Sequence, residues 1–191
     1  VNRYYSFTGV DWGAFRQSLE RAGYLNITGL KTLAPIWTFA TGSPVKSSPV
    51  IINNTVYFGS DNNYVYAVNL TNGAQICNYS TGGAVRSSPI TYSLTSYCSD
   101  RIFVGSNDNK FYALNATNCS KIWSFDTGND VISSAAAYQR YIFISSENGK
   151  LHSLDCQTGV NNWNYSDIIR GAPALTTIYP GGQTLPSVDR I

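Results

Sequence analysis

Methionine is absent from the 191 residues, histidine occurs once, and charged side chains make up only 13% of the chain. Such low charge argues against long helices with a solvated polar face. The net charge of +2, with no cluster of Lys and Arg, leaves no electrostatic footprint for nucleic acid or an anionic membrane surface. No apolar run approaches the roughly 18 residues of a bilayer-spanning helix. No Cys-x-x-Cys pair exists and His152 stands alone, so the usual zinc donor sets are missing. The recurring serines likewise have no histidine partner, so nucleophilic catalysis finds no candidate triad.

What is present points to β structure. Fourteen Tyr, eight Phe and sixteen Gly accompany many Ser, Thr and Asn. These residue types suit half-buried strands joined by tight turns. One domain with a sizeable core is expected at this length. The four cysteines agree with an oxidising compartment and allow three pairings. Seven Asn-x-Ser/Thr sequons stand at Asn26, Asn53, Asn69, Asn78, Asn115, Asn118 and Asn164. Several fall at expected turns or rim positions, so a secreted glycoprotein is expected. Because the chain begins at Val1 and has no Met, we expect any signal peptide to have been removed.

The organising feature is an internal repeat. Trp37-Thr-Phe-Ala-Thr-Gly42, Cys77-Asn-Tyr-Ser-Thr-Gly82, Trp123-Ser-Phe-Asp-Thr-Gly128 and Trp163-Asn-Tyr-Ser align at spacings of 40, 46 and 40 residues. Between them Ser47-Ser48-Pro49 matches Ser87-Ser88-Pro89 and Ser133-Ser134-Ala135. Val56-Tyr57-Phe58-Gly59-Ser60 matches Ile102-Phe103-Val104-Gly105-Ser106 and Ile142-Phe143-Ile144-Ser145-Ser146. Val65-Tyr66-Ala67-Val68-Asn69 matches Phe111-Tyr112-Ala113-Leu114-Asn115 and Leu151-His152-Ser153-Leu154-Asp155. The extra length of the second unit lies at residues 92–100, a lengthened hairpin loop. Four short strands per unit of about 40 residues is the pattern of a propeller blade.

At these residues the chain resembles the quinoprotein-like (PQQ-repeat) β-propellers, whose blades carry an Ala-x-Asp-x-x-Thr-Gly-x-x-x-Trp docking pattern. Ala113-x-Asn115 with Trp123, and Ser153-x-Asp155-x-x-Thr158-Gly159 with Trp163, carry the likeness; Ala67-x-Asn69 with Gly73 continues it, but Cys77 replaces the Trp. The segment from Asp11-Trp12-Gly13 to Arg21-Ala22-Gly23 is similar to the lead-in of secreted members. WD40 and kelch patterns do not recur. The resemblance implies an all-β incomplete arc: a lead-in over 1–35, an outer strand over 36–42, full blades over 43–82, 83–128 and 129–168, and a partial blade over 169–191. In the partial blade, Gly171-Ala172-Pro173 matches Ser-Ser-Pro and Asp189-Arg190-Ile191 opens a second strand. A short helix is expected over 11–22, with Trp12, Phe15 and Leu19 on one face, Asp11 as N-cap and Gly23 past its end.

The resemblance also carries an enzymatic alternative, because well-known members bind pyrroloquinoline quinone and calcium. Here the carboxylates are scattered and no adjacent cysteine pair is present, so we expect no cofactor, no metal and no catalytic residue. Asp61-Asn62-Asn63, Asn107-Asp108-Asn109 and Glu147-Asn148-Gly149 fall at one turn of each blade, where Asn, Asp and Gly serve the backbone. His152 aligns with Tyr66 and Tyr112 and is expected to be structural, and the repeating aromatics to pack blade on blade. Exposed tyrosines that stack on sugars form a lectin alternative. The leading expectation is an extracellular structural or interaction protein with N-glycans, except that Cys119 lies inside the Asn118 sequon. The resemblance implies closure with about seven or eight blades, so either the sequence is a fragment of a longer propeller or its partners are other chains, including copies of itself, met through incomplete blades whose open edges template pairing. In the docking arrangement of the resembled family a Trp stacks on a neighbouring Gly turn. Cys77 holds the Trp place and Cys119 the Gly place, so the resemblance implies a Cys77–Cys119 bond, and with it Cys98–Cys156; differently paired or free thiols are the alternative.

Overall fold

A computed structural model describes residues 35–92, 98–166, 171–177 and 184–187. Each repeat forms a four-stranded antiparallel sheet whose strands lie in sequence order. The first blade comprises β1 (Val50–Ile52), β2 (Thr55–Gly59), β3 (Tyr64–Asn69) and β4 (Gln75–Ser80). The second comprises β5 (Ile90–Thr91), β6 (Arg101–Gly105), β7 (Lys110–Asn115) and β8 (Lys121–Asp126). The third comprises β9 (Ala136–Tyr138), β10 (Tyr141–Ser145), β11 (Lys150–Asp155) and β12 (Asn161–Ser166). A two-stranded hairpin follows, β13 (Ala174–Thr177) with β14 (Thr184–Ser187). These sheets are blades of an open β-propeller arc.

The middle strands read as continuous apolar runs because they are covered on both faces. The outer strands alternate: on β4, Cys77 and Tyr79 are half-buried while Ile76, Asn78 and Ser80 are exposed. Register repeats with the sequence. Tyr57, Ala67 and Cys77 lie side by side across the first blade, as do Phe103, Ala113 and Trp123, and Phe143, Ser153 and Trp163. Each third strand then shifts register by a bulge, after Ala67, Ala113 and Ser153. A bulge re-aims the outer strand and increases its twist.

The core lies between blades. One apolar cluster joins Tyr57, Val65 and Ala67 of the first blade to Val104, Tyr112 and Leu114 of the second. Another joins Phe103, Phe111 and Trp123 of the second to Ile142, Ile144 and Leu154 of the third. Neighbouring blades come close where Gly59 meets Val85 and Gly105 meets Val131. A Cβ on either glycine would lie 2.2 or 2.4 Å from the valine Cγ1. At the same places Val85 N–H donates to Ser60 O (3.0 Å) and Val131 N–H to Ser106 O (3.1 Å).

Two expectations need comment. Residues 36–41 pair with no sheet among the described residues, so the expected outer strand is not one. An outer strand needs an inner neighbour to supply its ladder, and among the described residues this segment meets the first blade through side-chain bonds, Trp37 to Leu70 O and Asn62 to Thr41 O. In the partial blade the second strand is β14, earlier than the Asp189 match, which lies outside the described residues along with the 11–22 helix and Asn26.

Candidate functional site

The recurrent built site is the junction where one blade's outer strand meets the next blade's third strand and the turn after it. Trp123 on β8 lies against Gly159, whose φ of +71° is the left-handed conformation that glycine adopts most readily. A Cβ there would sit 2.7 Å from the indole ring. The indole Nε1–H donates to Cys156 O at 3.1 Å. Trp37 repeats the arrangement on the first blade: its ring lies against Gly73 (φ +68°) and its Nε1–H donates to Leu70 O at 2.7 Å. Two residues after each docking position an aromatic ring meets the next third strand: Phe39 with Tyr66 (5.3 Å), Tyr79 with Tyr112 (5.6 Å) and Phe125 with His152 (5.1 Å). Ala67, Ala113 and Ser153 keep the strand beside each docking residue narrow.

The junction between the first and second blades has the same frame and other chemistry. Cys77 stands where tryptophan stands elsewhere and is bonded to Cys119, with Cα atoms 5.8 Å apart. Cys119 has φ +58°, so it keeps the left-handed turn of Gly73 and Gly159. Ala116 O, equivalent to Leu70 O and Cys156 O, accepts instead from the Tyr57 hydroxyl at 2.7 Å. Tyr57 occupies the place of Phe103 and Phe143, and burial pushes its phenol above the ordinary value. The second disulfide, Cys98–Cys156, ties the loop before β6 to the turn after β11, with Cα atoms 5.9 Å apart. Cys156 O accepts from both Trp123 and Arg101 Nη1 (2.6 Å). The two bonds are those the docking resemblance implied, and they link the three blades in series.

Polar side chains serve these contacts. In the β2–β3, β6–β7 and β10–β11 turns, Asn62, Asp108 and Asn148 each accept from the backbone N–H two residues on, at 3.1–3.2 Å. The residues after them, Asn63, Asn109 and Gly149, have φ between 69° and 79°. Asp61 is held by Lys46 (2.8 Å) and Arg86 (2.9 Å), which keep its carboxyl below the ordinary range. Asp108 accepts from Gly82 N–H (2.7 Å) and from the Tyr112 hydroxyl. Tyr112 is raised, first by burial and then by that carboxylate. Asp130 accepts from Asn107 (2.8 Å), and Asp126 from Gly128 N–H (2.8 Å). Asp155 is tied to Arg140 and caps its turn through Gln157 and Thr158; burial opposes ionisation, but these partners hold its carboxyl below the ordinary value. Ser47 exchanges bonds with Gly59, and Ser133 donates to Ser145 O.

A quinone with calcium needs converging acidic and amide donors. Among the described residues no three His, Cys, Asp or Glu side chains come together, and the carboxylates named above are engaged in turns and ion pairs. These residues do not fit that group.

The sequon asparagines distribute by face. Asn53 lies in the β1–β2 turn, and Asn69 and Asn115 end β3 and β7. Their equivalents are close: Asn69 Oδ1 accepts from Thr71 N–H and Asn115 Oδ1 from Thr117 N–H, both at 2.8 Å. Asn118 follows in the second of these turns. Asn78 and Asn164 are exposed on the outer strands β4 and β12. Trp163, the docking residue of the third blade, is 43% exposed, against 9% for Trp123. The sequence alignment missed the Tyr57 bond to Ala116, although its signal was readable: a Tyr stands where the other repeats have Phe.

Comparison with known proteins matches this architecture. A PQQ-repeat family model described as outer membrane protein assembly factor BamB matches residues 80–182. No match is found among curated proteins. Among solved structures, BamB from Moraxella catarrhalis is similar at 15% identity and TM-score 0.61, over 80% of this chain and 46% of that one. The quinohemoprotein alcohol dehydrogenase ADHIIG from Pseudomonas putida HK5 is similar at 16% identity and TM-score 0.67, over 82% of this chain and 26% of that one. A europium-containing methanol dehydrogenase is similar at 18% identity and TM-score 0.69, over 81% and 31%. The chain thus spans less than half the length of each. With more than half of its residues under the family model and the docking junctions in place, the chain belongs to the PQQ-repeat β-propeller family.

Proposed function

We propose that the chain is an extracellular, N-glycosylated structural or interaction module rather than an enzyme, and that it meets other chains, copies of itself included. The observation that carries this reading is the exposure of the sequon asparagines Asn78 and Asn164 on the outer strands β4 and β12, where a glycan is accommodated without disturbing the core. Two interblade disulfides agree with an oxidising, extracellular setting. No helix among the described residues is long and apolar enough to cross a membrane. The fold itself serves both an outer membrane protein assembly factor and alcohol dehydrogenases, so the argument against an enzyme rests on the engaged carboxylates described above.

Sedimentation of the glycosylated protein tests the reading. We expect concentration-dependent association. A monodisperse monomer at all concentrations overturns the self-association. Intact-glycopeptide mass spectrometry should find sugar on Asn69, Asn78 and Asn164. Dye-linked alcohol oxidation restored by quinone and calcium would refute the non-enzymatic assignment.

A further inference from the structure

We propose that His152 makes the junction between the second and third blades acid-sensitive: protonation of its imidazole loosens the packing that docks β8 onto β11. The proposal is independent of the function proposed above.

The ring sits on β11 between Ile144 of β10 and Asn164 of β12 in register, and is 5% exposed. Its face toward the second blade meets Phe125 edge-on at 5.1 Å. Neither ring nitrogen has a hydrogen-bond partner. The two equivalent positions show what is missing. Tyr66 accepts from Asn62 Nδ2 at 2.7 Å, and the Tyr112 hydroxyl donates to Asp108. In the third blade Asn148 makes the same two backbone bonds as Asn62, Nδ2–H to Thr127 O and Oδ1 from Lys150 N–H, but its second amide hydrogen meets no imidazole nitrogen. The shorter imidazole is therefore buried as a neutral, unpaired group at a junction otherwise closed by phenols.

Charge around the ring does not favour a cation. Lys150, two residues away on the same strand, opposes protonation, and burial opposes it more strongly, so the imidazole is held below its ordinary value. Asp155 on that strand is committed to Arg140. The other titratable groups on adjoining elements are Tyr141 on β10, Tyr165 on β12, Lys121 and Asp126 on β8, and Glu147 in the preceding turn. Lys150 is the one whose charge is felt at the ring. Burying an unpaired charge is costly, so acid either drives the ring out of the junction or unfolds it.

The sign follows from linkage. Above the ordinary imidazole value of about 6.5 both folded and unfolded forms are neutral, and the full stability is present. Below it the unfolded form binds a proton and the folded form does not, so stability falls until the folded value is reached. Over that window each pH unit lowers the folded-to-unfolded ratio by up to about tenfold.

Because the chain holds one histidine, its titration can be followed without assignment ambiguity. In protein labelled at histidine, NMR should show the ring titrating at lower pH than a denatured control. Denaturation midpoints followed by tryptophan fluorescence should fall between pH 7 and pH 5, and His152→Tyr, which restores the residue type of the other blades, should remove most of that fall. His152→Phe supplies a second non-titrating variant if the tyrosine is not accommodated. Titration at or above the value of the denatured control, or an undiminished acid shift in both variants, overturns the proposal.

Discussion

The junction between the first and second blades and that between the second and third solve one packing problem with different chemistry. In the latter, Trp123 lies on Gly159 and caps Cys156 O. In the former, a Cys77–Cys119 bond spans the same gap, and a tyrosine hydroxyl reaches the same carbonyl from another strand. The frame is common: a left-handed turn residue, a narrow third strand, and an aromatic two residues beyond the docking position. What differs is whether apolar area or a covalent link closes it. The frame thus sets the distance between blades, and the side chains are interchangeable provided they fill or bridge it.

If so, breaking either junction should cost a similar amount. The Cys77–Cys119 loop spans 42 residues. Replacing both cysteines by alanine should lose about 4 kcal/mol through unfolded-chain entropy. Trp123→Ala should also lose about 4 kcal/mol through burial and cavity terms. Guanidine denaturation with the Cys98–Cys156 bond intact measures both; a difference beyond twofold would mean that the two closures are not equivalent. Converting one junction into the other sharpens the point. Cys77→Trp with Cys119→Gly should regain about 3 kcal/mol over the double alanine variant, by burying an indole on a glycine turn. No recovery would show that the first junction is too narrow for a ring. Gly159→Ala should lose about 2 kcal/mol, from left-handed strain and overlap with Trp123. Cys119 carries a side chain on the same left-handed turn, but it faces Cys77 in a disulfide, where Gly159 faces the Trp123 ring.

The repeat made most of this legible. Residues recurring at fixed spacing placed the three sheets, and the aligned substitution of Trp by Cys77 and Gly by Cys119 located the covalent junction. Segment 36–41 misled because its Trp-x-Phe pattern records the docking face and says nothing of ladder partners. The Tyr57 bond was hidden for another reason. It crosses blades between residues 59 apart, and only a paired comparison with Phe103 and Phe143 exposes it. The unpaired state of His152 was equally invisible, because it depends on the imidazole falling short of Asn148 where a phenol reaches Asn62.

Tyr57→Phe is the mildest change and the most specific to the comparison. It converts the first blade's residue into that of the other two while leaving the disulfide and ring packing in place. The hydroxyl donates to Ala116 O at 2.7 Å, and the ring is 4% exposed. A net intramolecular hydrogen bond is worth about 1 kcal/mol, and Ala116 is only half-buried, so its freed carbonyl can meet water. The expected loss is therefore about 1 kcal/mol at neutral pH. Alkaline conditions give a second readout. Burial holds the Tyr57 phenol above its ordinary value, so the folded form keeps its proton where the unfolded form loses it. That contribution is complete below a pH of about 10 and is lost as pH rises above it. The phenylalanine variant lacks this ionisation, so its deficit should shrink above pH 10, while other raised tyrosines such as Tyr112 lower both proteins alike. Denaturation midpoints at pH 7 and pH 10.5 measure it. No deficit at pH 7 would show that Tyr57 acts through packing alone and that the disulfide closes the first junction without help, and a deficit that fails to shrink at pH 10.5 would show that burial does not hold the phenol above its ordinary value.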